Sequence, residues 1–301
     1  MFPRLDIANA DETRATLDAM FEAAVAQGLQ RPFDDRVEEI NRSIPGLNGA
    51  PDVPVRIYMP KNRSQAGPGF VNYHGGGFVL GDLESGHARS LKMAAEGGAV
   101  SISVDYRLAP ENPFPAGSED CYAALQWVAD NAEELKIDPA KIVIGGDSAG
   151  GNLTAVVALM ARDLGGPKVA FQMLFYPVID DRCDTPSMKS GEGTYIWNSQ
   201  NSVDMWNQYI GDDRSDVSPY AAPARAKDLS GLPSAYVLTC EHDPLRDEGL
   251  IYAMRLMAAG IQVELHNYPG TVHAFDFLAP SEISTRAVNE CIEAFKRAVA
   301  D

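Results

Sequence analysis

An α/β fold, with a mostly parallel central sheet flanked by helices, is predicted by three features of the sequence. Short apolar segments alternate with amphipathic segments of about 10–15 residues, which is the pattern of βαβ units. A glycine cluster at 75–77 directly follows one of the apolar segments. The chain has 301 residues, of which 45% are hydrophobic and 22% charged, as expected for one large globular domain.

The first elements are expected to be helices that form part of a cap over the site. Residues 12–30 place apolar side chains, among them Leu17 and Phe21, on one helical face. A second short helix is expected at 34–41, before prolines and glycines break the pattern. Residues 1–48 are therefore assigned to an N-terminal cap.

From residue 53 onward the chain alternates between strands and helices. Residues 53–59 alternate apolar with polar side chains, as a half-buried strand does. Short apolar runs predict further strands at 70–73, 99–104, 142–144, 169–176, 235–239 and 261–266. Amphipathic or alanine-rich patterns predict helices at 119–135, 152–162, 245–259 and 281–299.

Residues 180–220 interrupt this alternation. They carry little strand character and are rich in Ser, Asn, Asp and Trp. A long insertion after a strand is where folds of this kind place lids. We therefore expect 180–220 to be a second cap segment, and 49–179 together with 221–301 to form the catalytic domain.

The charge and the composition limit the partners. A net charge of −17 repels phosphate backbones and anionic lipids, so neither a nucleic acid nor a membrane is an expected partner. No signal-peptide pattern and no run of about 18 apolar residues is evident, so a cytoplasmic location is expected. The four cysteines match no zinc or redox spacing and no H-E-x-x-H occurs, so neither a metal nor a cofactor is expected.

The segment 146–150 reads G-D-S-A-G and fits the nucleophile-elbow pattern G-x-S-x-G. An apolar strand precedes it and a helix follows, which is the context that an elbow needs. The turn strains its serine, and glycine is needed two residues to either side because side chains there would clash. Ser148 is therefore the candidate nucleophile, and the backbone N–H of Ala149 is a candidate donor to an oxyanion.

A second glycine-rich segment, 74–78, reads H-G-G-G-F and follows the strand at 70–73. Glycines allow bare N–H groups to approach a tetrahedral oxyanion, and an H-G-G-G loop has this role in some hydrolases. The N–H groups of Gly76 and Gly77 are therefore predicted to complete an oxyanion hole. A phosphate-binding loop is the alternative, but neither G-x-G-x-x-G nor G-K-[ST] appears here.

These two motifs and three others, in the same order, resemble the hormone-sensitive-lipase family of esterases, in its bacterial G-D-S-A-G branch. The others are D-Y-R-L-A-P-E at 105–111, D-P-L-R-D-E-G at 243–249, and H-A-F at 273–275 where the family has H-G-F. The resemblance covers most of the chain. It implies the α/β-hydrolase fold with a helical cap, and it implies that His74, with Gly75, supports the oxyanion loop.

The α/β-hydrolase triad has the chain order Ser, acid, His, which here gives Ser148, Asp243 and His273. Each of them follows a predicted strand end, where open α/β sheets place their sites. Glu241 and Asp247 are competing carboxylates beside the acid. The resemblance assigns the first Asp of D-P-L-R-D-E-G to the triad, so Asp243 is chosen and Asp247 is expected to be structural.

The chain has five histidines, and four of them are set aside as the base. His74 belongs to the oxyanion loop, and His87 is expected at the surface, at the start of a helix. His242 precedes the acid, and His266 lies within a strand pattern. His273 alone lies in a loop after the last predicted strand.

Three aromatic residues of the insertion could line the pocket or pack the cap. Tyr195 and Trp197 are candidate substrate-binding residues, with both interpretations left open. Trp206 is interpreted as cap packing.

The chain is thus expected to be a serine carboxylester hydrolase that cleaves small-molecule esters through an acyl-enzyme. A preference for short to medium acyl chains, and a homodimer formed near the edge strand at 261–266, are implied by the resemblance alone. Amide, carbamate or lactone hydrolysis by the same triad stays open. A ligand-binding receptor is the weaker alternative, because the gibberellin receptors that resemble this family lack the histidine found here at His273. A scaffold role is weaker too, since the elbow and the glycine loop are costly without catalysis.

Overall fold

One twisted sheet organises the protein, and the computed structural model describes residues 5–191, 194, 196–278 and 280–300. The strands found in these residues are β1 (Val37–Ile44), β2 (Val53–Pro60), β3 (Gly67–Tyr73), β4 (Val100–Val104), β5 (Ile137–Asp147), β6 (Phe171–Phe175), β7 (Ser234–His242) and β8 (Val263–Val272). They lie side by side in the order β1-β2-β4-β3-β5-β6-β7-β8. β2 lies between β1 and β4 and is antiparallel to both, and every pairing from β4 to β8 is parallel. The mostly parallel sheet is confirmed.

Helices connect the strands and cover both faces of the sheet. The described helices are α1 (Ala10–Ala26), α2 (His87–Ala95), α3 (Ala116–Asp130), α4 (Ala149–Asp163), α5 (Pro186–Ser190), α6 (Ser199–Ile210), α7 (Arg246–Ala258), α8 (Phe275–Leu278) and α9 (Glu282–Ala298). None of the helices within the described ranges combines the length and the apolar character that a bilayer span requires.

Alternate residues of the central strands supply two apolar layers. In β7, Val237 packs into the layer that contains α3, α4 and α7, while Tyr236 and Leu238 pack into the layer that contains α2 and α9. This alternation follows from the two-residue period of a strand. A strand buried on both faces reads as a continuous apolar run, which is why the sequence reveals these strands so clearly.

The prediction of a second N-terminal helix at 34–41 is wrong. Residues 37–44 form strand β1, which pairs with β2 along its whole length, from Val37 opposite Pro60 to Ile44 opposite Val53. The apolar residues of this segment recur at spacings of three and four, which imitates a helical face. Pairing with β2 decides the structure instead, and this long-range effect is not visible in the local pattern.

The remaining N-terminal helix lies beside the loop that follows β3. The Arg14 guanidinium of α1 donates hydrogen bonds to the carbonyl oxygens of Val79, at 2.8 Å, and Ala109, at 2.9 Å. It also pairs with Glu111 at 2.6 Å. In α6 of the insertion, the Gln208 side chain donates to the Ile7 carbonyl next to α1. The N-terminal segment and the 180–220 segment are thus in contact, although the division into cap and catalytic domain stays a prediction.

The parallel strands bring four functional segments to one edge of the sheet. β3 ends in the 74–78 loop, β5 ends one residue before Ser148, β7 ends one residue before Asp243, and β8 ends one residue before His273. Because the carboxyl ends of parallel strands share an edge, residues far apart in the sequence meet there.

Candidate active site

The turn between β5 and α4 holds Ser148 in a backbone conformation that few side chains adopt. Its φ is 56° and its ψ is −112°. A Cβ at Gly146 would lie 2.5 Å from the Tyr73 carbonyl oxygen, and one at Gly150 would lie 1.9 Å from the same atom. Both glycines are therefore obligatory for packing the turn against β3. Backbone strain of this kind is typical of functional sites. Here β5, α4 and the neighbouring β3 hold the turn in the strained conformation.

Ser148, His273 and Asp243 form a continuous chain of hydrogen bonds. The Oγ of Ser148 lies 3.0 Å from Nε2 of His273, and Nδ1 of His273 lies 2.7 Å from Oδ2 of Asp243. The other carboxylate oxygen, Oδ1, accepts a hydrogen bond from the Leu245 N–H at 3.0 Å. All three side chains are almost fully buried.

This geometry selects one tautomer of His273. The carboxylate of Asp243 can only accept, so Nδ1 carries the proton that it donates. Nε2 is then left with a lone pair that faces the hydroxyl of Ser148. The arrangement can remove the serine proton as the oxygen attacks an electrophile.

The glycine loop after β3 presents free backbone donors. Gly76 and Gly77 have φ values of 120° and 59°, and a Cβ at Gly76 would lie 2.1 Å from the Leu80 carbonyl oxygen. Within the described residues, neither Gly76 nor Gly77 donates its N–H to another group. Both glycines line the same cavity as Ser148. Ala149 is the first residue of α4, so its N–H has no partner within the helix.

His74 anchors the base of this loop. Its Nδ1 donates to the Gly75 carbonyl oxygen at 2.7 Å, and its ring stacks on Tyr106 with centroids 4.2 Å apart. The Tyr106 hydroxyl in turn donates to the His74 carbonyl oxygen at 2.8 Å. Complete burial lowers the pKa of His74 to about 4, so its imidazole is neutral at pH 7. These contacts support a loop-bracing role for His74 and Gly75, which stays a prediction.

The buried, neutral His74 should make the fold less stable in acid. Between pH 6.5 and 4 the unfolded chain binds a proton at His74 that the folded chain excludes, so stability falls as the pH drops. We expect this one group to remove roughly 2 kcal/mol of the free energy of unfolding between pH 7 and pH 5. Urea unfolding at both pH values should show a smaller loss in His74→Asn than in the wild type. The exposed His242→Asn control should keep the wild-type loss, and equal losses in all three proteins would contradict the assignment.

Two other histidines, His87 and His266, have partners away from Ser148. His87 is buried rather than at the surface as predicted, because Tyr58, Arg31 and the Pro32 carbonyl enclose its ring. His266 lies in β8 and contacts Glu264 at 2.9 Å.

The competing carboxylates beside Asp243 have structural partners. Glu241 accepts from the Gly270 N–H at 2.6 Å. Asp247 accepts from the Ser187 N–H at 2.8 Å and from the Arg246 guanidinium at 2.8 Å. Within the described residues, Asp243 is thus the carboxylate that contacts His273.

The aromatic residues of the insertion divide between site and core. Trp197 is buried beside the triad, with its ring centroid 6.0 Å from that of His273 and its Nε1 donating to Ser202 at 2.9 Å. Trp206 is completely buried and packs on Phe78. Tyr195 lies outside the described residues.

Two adjoining cavities lead to Ser148. The inner cavity, of about 260 Å³, contains the triad serine and histidine and is walled by Tyr176, Ile196, Trp197 and Phe277. The outer cavity, of about 800 Å³, lies between α1 and the 80–85 segment. Its lining combines the apolar residues Leu17, Met20, Phe21, Ala24, Leu29, Leu80 and Leu108 with the charged residues Arg14, Asp18, Asp82 and Glu84. Leu17, Leu80, Gly81 and Ser85 line both cavities, so the two cavities are adjacent. The sequence gives no sign that Tyr176 and Phe277 line this cavity, because a single aromatic residue outside a recognisable motif carries no signal of its own.

Known proteins resemble this chain over nearly its full length. A family model described as the alpha/beta hydrolase fold matches residues 70–277. The carboxylesterase NlhH of Mycobacterium tuberculosis is 44% identical over 269 residues, which cover 88% of this chain and 83% of that protein. The arylesterase of Saccharolobus solfataricus is 41% identical over 225 residues, covering 74% of this chain and 73% of that protein. The solved structure of a bacterial heroin esterase superimposes with a TM-score of 0.95 at 44% identity, covering 100% of this chain and 95% of that one.

Proposed function

Because this chain belongs to the α/β-hydrolase family, and within it to the hormone-sensitive-lipase-like carboxylesterases, we propose that it hydrolyses carboxylic esters with Ser148 as nucleophile and His273 as general base. Asp243 is the acid that orients His273. The observation that carries the proposal is the buried hydrogen-bonded chain from Ser148 through His273 to Asp243, with distances of 3.0 and 2.7 Å. The strained elbow supports it, because backbone strain of this kind is concentrated at active sites.

In the first half of the reaction Ser148 becomes acylated. Its Oγ attacks the ester carbonyl carbon while Nε2 of His273 takes the hydroxyl proton. The carbonyl oxygen becomes an oxyanion, and the N–H groups of Gly76, Gly77 and Ala149 donate to it. The bond to the alcohol oxygen then breaks, and His273 returns the proton to the departing alcohol.

In the second half water replaces the alcohol. His273 takes a proton from the water as it attacks the acyl carbon, and the same donors hold the second oxyanion. The bond between the acyl carbon and Oγ then breaks, and Ser148 recovers its proton from His273. Each oxyanion donor of this kind typically contributes about 10²–10³-fold to turnover.

The two cavities support a small, largely apolar ester as substrate. The inner cavity of about 260 Å³ suits a short acyl or alcohol group, and Tyr176, Trp197 and Phe277 give it aromatic walls. The outer cavity of about 800 Å³ can hold the second, larger part of the ester. A preference for short to medium acyl chains is therefore part of the proposal, and Trp197 is proposed as one wall of the substrate site.

The decisive experiment is hydrolysis of p-nitrophenyl esters from acetate to palmitate by the wild-type protein. We expect kcat/KM to be highest among the chains from acetate to octanoate and at least about tenfold lower for palmitate, because a chain of that length exceeds the inner cavity and would have to extend along the charged residues Arg14, Asp82 and Glu84 of the outer one. The matched p-nitroanilide of butyric acid separates ester from amide hydrolysis. No cleavage of any ester would contradict the proposed reaction, and a maximum at palmitate would contradict the chain-length preference.

The location and the assembly are further parts of the proposal. Four cysteines that form no disulfide within the described residues support a reducing, cytoplasmic compartment. β8 lies at the edge of the sheet, which supports the pairing of two copies along this edge. A monomer in light scattering at micromolar concentration would contradict the dimer.

A further inference from the structure

A buried ion cluster lies directly behind the triad. Arg89 of α2 lies 2.6 Å from Oδ1 of Asp147 and 2.8 Å from Oδ2 of Asp276. Its Nε also donates to Oδ2 of Asp147 at 3.1 Å. The three side chains are 5%, 7% and 3% exposed, respectively. We call Arg89, Asp147, Asp276 and Tyr176 the Arg89 cluster.

Tyr176 joins the cluster to the catalytic histidine. Its hydroxyl lies 2.9 Å from Oδ1 of Asp276 and 3.2 Å from Oδ1 of Asp147, so it bridges the two carboxylates. Its ring meets the ring of His273 edge to face, with centroids 4.9 Å apart. The imidazole of His273 therefore rests on a side chain that the cluster holds in place.

Two residues of the Arg89 cluster are also close in sequence to Ser148 and His273. Asp147 precedes Ser148 in the chain, and Asp276 follows His273 by three residues in the short helix α8. Arg89 thus links the segment that carries the nucleophile to the segment that carries the base. No hydrogen bond within the described residues, apart from the one between Ser148 and His273 themselves, joins these two segments without Arg89 or Tyr176.

The surroundings of Arg89 hold it in a single position. Its guanidinium carbon lies 3.8 Å from the centroid of the Phe175 ring and 5.0 Å from that of Phe277, so aromatic rings pack against it. A further terminal nitrogen lies 3.9 Å from Sγ of Cys291 in α9. Planar guanidinium groups that are stacked and bonded on several sides are rigid connectors, which a lysine does not reproduce.

Stability alone gives little reason for an ion cluster at this place. Burial raises the pKa of Asp147, and the Arg89 cation opposes this shift. Burying a cation and two carboxylates costs desolvation free energy that apolar residues of similar volume would avoid. The cluster fixes the positions of the side chains around it, and this can offset the desolvation cost. Ser148 and His273 are the side chains whose function depends most on a fixed relative position.

We propose that Arg89 is a positioning residue for catalysis, which sets the approach of Ser148 Oγ to His273 Nε2 through Asp147, Asp276 and Tyr176. This inference rests on the proposed triad. Arg89 touches neither Ser148 nor His273, so its effect is on the alignment of the two and not on substrate binding.

The test measures kcat and KM for p-nitrophenyl butyrate in Arg89→Met, Arg89→Lys and Asp276→Asn. Arg89→Met should lower kcat about 10–100-fold with little change in KM, because small misplacements of reacting groups have effects of this size. Arg89→Lys should recover part of the loss, since the ammonium keeps the charge but not the bidentate geometry. Asp276→Asn keeps the shape and should lower kcat as well.

A matched control separates positioning from general stability. Arg225 forms a bidentate pair with the buried Asp181 at 2.8 Å and contacts none of the triad within the described residues. Arg225→Met should lower the melting temperature but keep kcat. The downfield proton resonance of the hydrogen bond between His273 and Asp243 should broaden or disappear in Arg89→Met and persist in Arg225→Met.

The outcomes distinguish this inference from the proposed function. If Ser148→Ala abolishes hydrolysis while folded Arg89→Met, Arg89→Lys and Asp276→Asn keep the wild-type kcat, the positioning role is wrong and the triad stands. If Arg89→Met does not fold, the kcat values of Arg89→Lys and Asp276→Asn decide whether Arg89 has the positioning role. Loss of activity by a rise in KM alone would also overturn the inference.

Discussion

Ser148→Ala is expected to lower kcat for p-nitrophenyl butyrate by about 10⁴–10⁶-fold. The substitution removes one oxygen atom and leaves the elbow, the glycine loop and His273 in place. No other hydroxyl within the described residues donates to the lone pair of His273 Nε2, so no nucleophile substitutes for Ser148. The small residual rate should come from oxyanion donors that polarise the bound ester toward attack by water.

The control for this prediction is another buried serine. Ser118 in α3 donates its hydroxyl to the Pro115 carbonyl oxygen and is 1% exposed, so Ser118→Ala removes the same atom from a comparable environment. We expect Ser118→Ala to keep kcat within about threefold of the wild type, with a modest loss of stability from the deleted hydrogen bond. A Ser148→Ala protein that retains a tenth of the wild-type kcat would refute the nucleophile assignment.

The sequence predicts the parts of the site that depend on local backbone geometry. The elbow needs glycine at 146 and 150 because each Cβ would strike the Tyr73 carbonyl, and this need appears directly as G-x-S-x-G. The glycine loop at 75–77 is visible for the same reason. The strands buried on both faces are also predictable, because burial demands an unbroken apolar run.

The features that the sequence does not reveal are those that depend on distant partners. The spacing of apolar residues at 34–41 predicts a helix where β1 forms, because the pairing of β1 with β2 leaves no sign in that spacing. The local pattern predicts His87 at the surface, because the groups that enclose it, Tyr58 and Arg31, lie 29 and 56 residues away along the chain. Arg89, Asp147 and Asp276 come from three separate segments, so only the folded chain brings them together.

The second prediction concerns the acid of the proposed triad, because Asp243 competes in the sequence with Asp247, four residues away. Asp243→Asn is expected to lower kcat by about 10⁴-fold, whereas Asp247→Asn should lower it less than about tenfold. Both variants change one oxygen to an amide nitrogen, so each serves as the control for the other. The measurement is kcat for p-nitrophenyl butyrate, with the melting temperature recorded for each variant.

The two oxygen atoms of Asp243 explain why the asparagine should be so damaging. Oδ1 accepts from the Leu245 N–H at 3.0 Å, and Oδ2 accepts from Nδ1 of His273 at 2.7 Å. An asparagine keeps only one acceptor, and turning its nitrogen toward Leu245 would set two donors against each other. The amide nitrogen therefore faces Nδ1, which must then give up its proton and accept. His273 would carry its proton on Nε2 instead, where it can no longer take the proton of Ser148. Asp247 also accepts with both oxygens, from Arg246 and from the Ser187 N–H, but neither partner belongs to the Ser148–His273 pair, so Asp247→Asn should affect stability more than kcat. If Asp247→Asn proved to lower kcat more than Asp243→Asn, the acid would have to be reassigned.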